Sequence, residues 1–515
     1  MIICRENEMN TNVLQYLEET VKRVPDKMAF ADVNGSMSFQ EMYDASRSVG
    51  SYLIQKGACA EPVVIFMKKS PQTLAAFFGV IYAGCIYVPI DEEMPERRMQ
   101  LILENTQAKY MICDSDTADK AGSLTFQGSI ISFDEAVKCP QNDKALEQIR
   151  EHAQDMDAIY ILFTSGSTGV PKGVVGHHRG VIDYIESLSE ALEFGSDNVF
   201  GNQTPFYLDA CMKEVYPTLK YGAATWIIPK ELFMQPVKLV EFLNEHHINT
   251  ICWVVSAMTI ISAFDTFEVV KPEYLKTVAF GSEVFPIRQF NMWKKTLPEA
   301  KFYNLYGPTE ATGMSCYYPV TRLFNEDEVI PVGRPFRNTV IFLLTEDGRV
   351  ASDGEEGEIC IKGSCLTHGY YRNETKTQEV FTQNPLNSNY PERIYHTGDI
   401  GKWNEEGQLV FVSRKDHQIK HMGHRIELGE IEADVTQISE IRSCCCIYMK
   451  DSGRIVLFYS GEMEKRELTK RLKEKLPRYM LPNAIMQLSQ LPVLPNGKMD
   501  RLQMEKIYTE QKGRK

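Results

Sequence analysis

Chemistry-bearing side chains crowd most closely in Tyr160-Ile-Leu-Phe-Thr164-Ser165-Gly166-Ser167-Thr168-Gly169-Val-Pro-Lys172-Gly-Val-Val. An apolar strand-like run gives way to two glycines, four hydroxyl side chains and one lysine. Glycine lets backbone N–H groups turn inward, the hydroxyls add donors and the lysine adds positive charge, so the spacing builds a cradle for an anion, phosphate above all. Other loops of similar composition fail on spacing. The pattern G-x-x-x-x-G-K-[ST] would use Gly166 and Lys172, but Pro171 precedes that lysine and Gly173 follows it. The elbow G-x-S-x-G centred on Ser167 has Ser165 where glycine is required. No G-x-G-x-x-G fingerprint is present.

A cradle at a strand end needs a sheet behind it. Short apolar runs at 63–66, 110–113, 224–228 and 249–255 alternate with helix-length segments, which implies an α/β fold with mixed or parallel sheets covered on both faces. After about residue 330 the pattern changes to hairpins with acidic-Gly turns, a β-rich subdomain. Helices return from Ile426, broken by Pro477, Pro482, Pro492 and Pro495. The expected organisation is a large domain over 1–414 and a small α+β domain over 415–515. The stretch Ser70 to Ile90 carries no charge and has the length of a membrane span. Its Pro71, Gly79, Gly84 and Pro89 favour a buried helix followed by a buried strand.

The 515 residues are 43% hydrophobic and carry a net charge of −13. This composition excludes disorder and opposes non-specific binding to nucleic acid or anionic membranes, so any nucleotide bound is expected to be small. The opening residues contain Arg and Glu without an apolar segment, giving no secretory leader and an expected cytoplasmic location. Thirteen cysteines, an odd number, are then expected as reduced thiols. Cys444, Cys445 and Cys446 would alternate faces on a strand and serve as small core residues rather than as a metal site.

The loop, together with YAGCIYVPID (82–91), FYLDA (206–210), NLYGPTEAT (304–312), GEICIKG (357–363), YHTGD (395–399), SRKDHQIKHMGHRIELGEIE (413–432), LPRYMLP (476–482) and LPNGKMDR (494–501), resembles the adenylate-forming superfamily in order and over nearly the whole chain. That superfamily contains acyl-CoA synthetases, luciferases and the adenylation domains of nonribosomal peptide synthetases. The resemblance is strongest to the amino-acid-activating branch, including stand-alone D-alanine:carrier-protein ligases. It implies ATP and Mg²⁺ as cofactors, with attack of a carboxylate on the α-phosphate, release of pyrophosphate, and transfer of the acyl group to a phosphopantetheine thiol. Thr164, Ser165, Gly166, Ser167, Thr168, Gly169 and Lys172 match the phosphate loop.

Asn304, Leu305, Tyr306, Gly307, Pro308, Thr309 and Glu310 place an amide, a ring, a hydroxyl and a carboxylate on one turn. That set suits adenine, the α-phosphate and a hard divalent cation. Glu310 and Thr168 are the implied metal-side residues, although a helix-start carboxylate would serve the dipole equally. Asp399 and Arg414 match the ribose contacts. Lys498, on an Asn-Gly turn, matches the catalytic lysine that bridges carboxylate and α-phosphate. Asp416 matches the hinge between the two half-reactions, and Gly423 the passage of the pantetheine arm.

Asp209 matches the aspartate that pairs with a substrate α-amino group. Leu208 departs from the pattern, where Phe is usual. Ala210, Lys213, Trp253, Gly281, Leu305 and Gly313 match pocket-lining positions. Lys213 lies four residues after Asp209, on the same side of a helix. It either reads an acidic substrate side chain such as that of glutamate, or forms an ion pair worth about 0.2–0.5 kcal/mol; Trp253 could equally shrink the pocket to fit alanine. No serine-bearing carrier motif follows Arg501, so the expected acceptor is a carrier protein in trans, with coenzyme A second. An acyl-CoA synthetase and a luciferase-like oxidase are the competing activities.

Overall fold

The computed structural model describes residues 9–166, 169–493 and 499–513. The chain divides into two compact units, one of Met1–Glu92, Thr106–Leu162 and Gly173–Lys415, the other of Glu93–Asn105, Phe163–Lys172 and Asp416–Lys515.

Two large sheets form the first unit. The nine-stranded sheet runs in the order Arg334–Pro335, Cys316–Val320, Lys301–Tyr306, Thr277–Gly281, Thr250–Val254, Val199–Asn202, Ala224–Ile227, Met28–Asp32 and Gly35–Ser38. Its six central strands, from Lys301–Tyr306 to Met28–Asp32, are parallel. Thr250–Val254 and Thr277–Gly281 are buried at every residue, as expected of parallel strands covered on both faces. The seven-stranded sheet runs Gly369–Tyr370, Lys172–His177, Ala158–Thr164, Ile86–Pro89, Pro62–Phe66, Tyr110–Cys113 and Ser129–Ser132.

The uncharged stretch after Ser70 is a helix, Pro71–Tyr82, capped by the Ser70 side chain and started by proline. All of its residues except Gln72 are buried. It packs on the helix Phe39–Gln55 at a crossing that needs glycine on both sides. A Cβ on Gly50 would come within 2.8 Å of the Tyr82 Cβ, and one on Gly79 within 2.6 Å of Val49. The strand Ile86–Pro89 follows the positive-φ turn at Gly84. Apolarity here serves the core; no described helix is long and apolar enough to cross a membrane.

A five-stranded antiparallel sheet completes this unit, with Thr339–Leu344, Gly357–Gly363, Arg393–Trp403, Phe381–Gln383 and Leu409–Arg414. These are the hairpins expected after residue 330.

The second unit contains the hairpin Gln418–His421 and His424–Glu427, a three-stranded sheet of Ile441–Met449, Arg454–Gly461 and Ala484–Gln487, and the helices Leu428–Thr436, Lys465–Lys475 and Arg501–Gly513. Along Ile441–Met449, Cys444 and Cys446 pack with Ile431, Leu457 and Leu472, while Cys445 packs with Met504 and Tyr508. The three cysteines alternate faces and act as core residues. The helix Glu96–Thr106 anchors to this unit through Arg98, whose guanidinium is buried against Glu430, and Arg97, 3.0 Å from Asp434.

Candidate functional site

Within the first unit, Tyr306 ends the strand Lys301–Tyr306, and Asp399 lies on Arg393–Trp403 directly opposite Arg414 in the antiparallel register. The Tyr306 hydroxyl donates to Asp399 Oδ2 at 2.5 Å, and Arg414 Nη1 donates to Oδ1 at 2.5 Å. Both members of the ion pair are nearly buried. Burial and the Asp399 charge push the Tyr306 phenol well above its ordinary value, so it stays a donor. An ionised carboxylate offers about four lone-pair sites, so Asp399 keeps acceptor capacity for a vicinal diol after these two bonds.

Glu358 braces the turn before Asp399. It accepts the Gly398 N–H at 3.0 Å, and it lies 3.0 Å from His396 Nδ1 and 3.1 Å from Lys415 Nζ. Thr397 Oγ1 donates to the Ile359 carbonyl and accepts the Asp399 N–H.

Asn304 donates its amide nitrogen to the Pro331 carbonyl at 2.9 Å, so its amide oxygen is the group left to accept a hydrogen bond. Gly307 is required sterically, because a Cβ there would meet the Gly313 carbonyl at 2.5 Å. Pro308 is extended, and Thr309 and Glu310 lie in a short 3-10 turn. Glu310 is fully buried and accepts from the Tyr370 hydroxyl at 2.6 Å. A buried carboxylate of this kind fits Mg²⁺, which takes one or two protein oxygens and completes its shell with water and phosphate. Thr168 and Ser167 lie outside the described residues.

Asp209 opens the 3-10 turn Asp209–Cys211, which runs into the helix Met212–Tyr221. Its charge helps raise the phenols of Tyr160 and Tyr184, both already raised by burial. Ala210 is buried beside it. Lys213 is completely buried and its amine has no hydrogen-bond partner. The ion pair with Asp209 or a neighbouring Glu, one of the two readings open from the sequence, is not formed.

Glu214, also completely buried, accepts from Asn202 Nδ2 at 3.3 Å through Oε2, while its Oε1, Asn202 Oδ1 and the Tyr184 hydroxyl are unpartnered. Burial pushes the Glu214 carboxyl up to about 8, despite the opposing pull of Lys213, Asn202 and Lys69. Lys69 donates to the Gln203 carbonyl at 3.1 Å and lies 5.3 Å from the Phe206 ring centroid; burial pushes it down to about 8, against Glu214.

Trp253 packs with Phe233 in the cluster around Leu239 and Trp293, and its indole N–H donates to the Gly201 carbonyl at 2.7 Å. Its neighbour Cys252 belongs instead to the cluster containing Tyr184, and its thiol senses the charges of Glu214 and Lys213. Successive strand residues point to opposite faces, so Cys252 and not Trp253 faces Lys213. Gly281 and Gly313 admit no side chain; a Cβ would meet the Leu305 carbonyl at 2.4 Å and the Tyr184 ring at 2.6 Å respectively. Leu305 itself is buried in the same cluster as Tyr184. Lys69, Asn202, Glu214 and Cys252 were not singled out from the sequence; the Lys-Glu pair inside the apolar run Cys-Met-Lys-Glu-Val-Tyr-Pro was the available signal.

In the second unit the Ser/Gly-rich loop holds anionic and carbonyl oxygens. Gly166 N–H donates to Glu430 Oε2 at 3.1 Å, Lys172 Nζ lies 3.7 Å from Glu427 Oε1, and Ser165 donates to the Arg425 carbonyl at 2.6 Å. Thr164 Oγ1 reaches the Lys172 carbonyl at 3.5 Å, and Gly169 has φ +80°. A Cβ on Gly166 would lie 2.0 Å from the Val170 carbonyl, so the backbone folds on itself too tightly for any other residue. Asp416 accepts from the Gln418 N–H. Met422 and Gly423, with φ +52° and +78°, form the two-residue hairpin turn between Gln418–His421 and His424–Glu427, a geometry that itself favours glycine. Lys498 lies outside the described residues.

Comparison with known proteins assigns the class. Residues 17–371 match the profile of the AMP-binding enzymes, and the chain belongs to this family of adenylate-forming, ATP-using enzymes. Tyrocidine synthase 1 of Brevibacillus parabrevis is 29% identical over 95% of this chain, which spans 44% of that protein. The chain thus spans less than half the length of this curated relative. Zwittermicin A synthase ZmaJ of Bacillus cereus is 30% identical over 96% of this chain and 94% of its own length. Among solved structures, the Vibrio cholerae adenylation domain AlmE, in complex with glycyl-adenosine-5′-phosphate, shares the fold with a TM-score of 0.83 at 20% identity, over 98% of this chain and 99% of that one. The four-domain nonribosomal peptide synthetase AB3403, bound to AMP and glycine, gives a TM-score of 0.70 at 27% identity, over 95% of this chain and 36% of that one.

Proposed function

We propose that this chain is an amino acid:carrier-protein ligase acting in the cytoplasm. ATP and a free amino acid react to an aminoacyl-adenylate and pyrophosphate, and the aminoacyl group passes to the phosphopantetheine thiol of a carrier protein supplied in trans. A carboxylate is a poor acyl donor because oxide would have to leave; joined to AMP it has a good leaving group. The protein needs positioning and positive charge for this step and no covalent nucleophile.

In this reading Asp399 accepts the ribose hydroxyls, with its geometry held by Tyr306 and Arg414. Asn304 and Tyr306 take the adenine. Thr164 to Gly169 with Lys172 take the phosphates, which displace the carboxylates of Glu427 and Glu430. Lys498 bridges the attacking carboxylate and the α-phosphate. Glu310 with Thr168 would hold Mg²⁺, which supplies charge neutralisation on the phosphates when bound. A small domain beginning at 415 turns about Asp416 between the half-reactions, and Gly423 lies where the arm passes.

The observation that carries the amino acid as substrate is Asp209, a carboxylate opening the turn into Met212–Tyr221, beside buried phenols that respond to its charge. A fatty acid has no cation for it. The related proteins bound to glycyl-adenosine-5′-phosphate or to AMP and glycine support the same reading. The test is ATP–pyrophosphate exchange over amino acids and fatty acids, followed by loading of a phosphopantetheinylated carrier protein or of coenzyme A. Exchange with amino acids and loading of the carrier is expected; exchange with fatty acids alone, with thioester formed on coenzyme A, makes the chain an acyl-CoA synthetase.

A further inference from the structure

Among the buried polar atoms without partners, four belong to residues coupled to one another near Asp209. Lys213 Nζ, Glu214 Oε1, Asn202 Oδ1 and the Tyr184 hydroxyl all lack a hydrogen bond. Lys213 and Glu214 are both completely buried, Asn202 is bonded to Glu214, and Tyr184 feels the charges of Asp209 and Glu214. Native interiors satisfy such groups almost without exception, and a group of orphans in one place marks where an absent molecule completes the network. The strongest demand is that of Lys213, since a buried amine with no acceptor is the most costly member of the set.

Resting on the amino-acid reading of this site, we propose that the substrate is an acidic amino acid whose side-chain carboxylate pairs with Lys213, with Tyr184 and Asn202 completing the polar chamber around it. The charge count agrees. Burial pushes the Glu214 carboxyl up to about 8 against the pull of Lys213, which favours its protonated, hydrogen-bonding form. Lys69 adds a second amine that feels Glu214. An anion balances this chamber. A basic side chain would meet Lys213 with like charge. An apolar one would leave both the amine and the Tyr184 hydroxyl unsatisfied, and an amide would supply hydrogen bonds without the opposing charge. Cys252, which packs in the same cluster as Tyr184, presents a small, polarisable side chain on that face.

The experiment is ATP–pyrophosphate exchange by the full chain with ATP and Mg²⁺ against D- and L-glutamate, aspartate, glutamine, asparagine, alanine and leucine. Exchange with glutamate or aspartate at least about tenfold above its own amide is expected, from the cost of leaving a buried amine unpaired. Lys213→Met should lose exchange with the acid on the order of 100-fold while gaining on a neutral amino acid. Lys213→Arg, which keeps the charge, should keep the preference for acid over amide. Circular dichroism and a melting curve establish that both variants fold. A wild-type preference for a neutral amino acid, or an acid preference unchanged in Lys213→Met, overturns the assignment while leaving amino acid activation intact. Exchange with no amino acid at all defeats the functional reading beneath it instead.

Discussion

The Tyr306–Asp399–Arg414 cluster and the Lys213 chamber belong to the same unit and are built from the same kinds of groups, yet they are satisfied in opposite ways. Asp399 receives a phenol and a guanidinium, and the turn carrying it is tied down by Glu358 and Thr397. Lys213, Glu214 Oε1, Asn202 Oδ1 and the Tyr184 hydroxyl receive nothing. Under the proposed assignment the difference follows the reaction. A nucleotide used in every turnover would find its contacts preorganised, with no reorganisation needed when it binds. The acid to be activated differs from one family member to another, and a site with unmet hydrogen-bonding groups discriminates because the wrong ligand leaves them unmet.

Removing the centre of the closed cluster gives the largest expected effect. Asp399→Ala leaves Arg414 nearly buried without a partner and should cost about 3–5 kcal/mol of stability, read as an earlier urea midpoint. It should also lower kcat/KM for ATP roughly 100-fold, as expected for two lost charged hydrogen bonds. Tyr306→Phe deletes one of the two bonds and should cost about 1.5–3 kcal/mol in the same ATP measurement, leaving the amino acid KM unchanged.

In the open chamber the sign reverses. Lys213→Met removes a buried amine that makes no hydrogen bond and should raise the urea midpoint by the equivalent of about 1–3 kcal/mol, even as it weakens exchange with the acid. A Lys213→Met protein less stable than wild type would show the amine to be satisfied, and the contrast between the regions would fail.

A further effect is one of pH. Because the folded carboxyl of Glu214 titrates near 8, above its ordinary range, the folded state binds that proton more tightly than the unfolded chain. Its contribution is fully present in acid and is lost as pH rises toward 8. Glu214→Gln cannot titrate. Its melting temperature should therefore exceed that of wild type by a margin that grows from pH 5 to pH 8. Of the groups that sense Glu214, the Cys211 and Cys252 thiols and the Tyr184 phenol are raised by burial and stay protonated over that range, and Lys69 loses its proton only near its upper end. A margin independent of pH would contradict the raised carboxyl.

What was legible in the sequence depended on whether the partners are neighbours in the chain. The anion-cradling loop is read from consecutive residues, since glycine, hydroxyls and lysine act there through local backbone geometry. The hairpins after residue 330 and the alternating faces of Cys444 to Cys446 follow from period-2 patterning in the same way. The Tyr306–Asp399 bond joins residues 93 apart, and no local spacing predicts it; only resemblance put the two side by side. Trp253 shows how strand register decides a side chain's face, because a slip of one residue exchanges the faces of the strand; Cys252, not Trp253, packs in the cluster with Tyr184. Glu214 was passed over because adjacent helical residues usually point apart and one faces solvent, whereas Met212 to Leu219 are buried all round. Lys69 lies on a different element altogether, more than a hundred residues before the carbonyls it bonds.

The most direct test of the account is to trap the product. The full chain is incubated with ATP, Mg²⁺, hydroxylamine and an equimolar mixture of the common amino acids, and the hydroxamates are identified by mass spectrometry alongside AMP and pyrophosphate. The account predicts the hydroxamate of glutamate or aspartate, formed in step with AMP and pyrophosphate. Failure to cleave ATP between the α- and β-phosphates, or a dominant hydroxamate from a neutral amino acid, would contradict it.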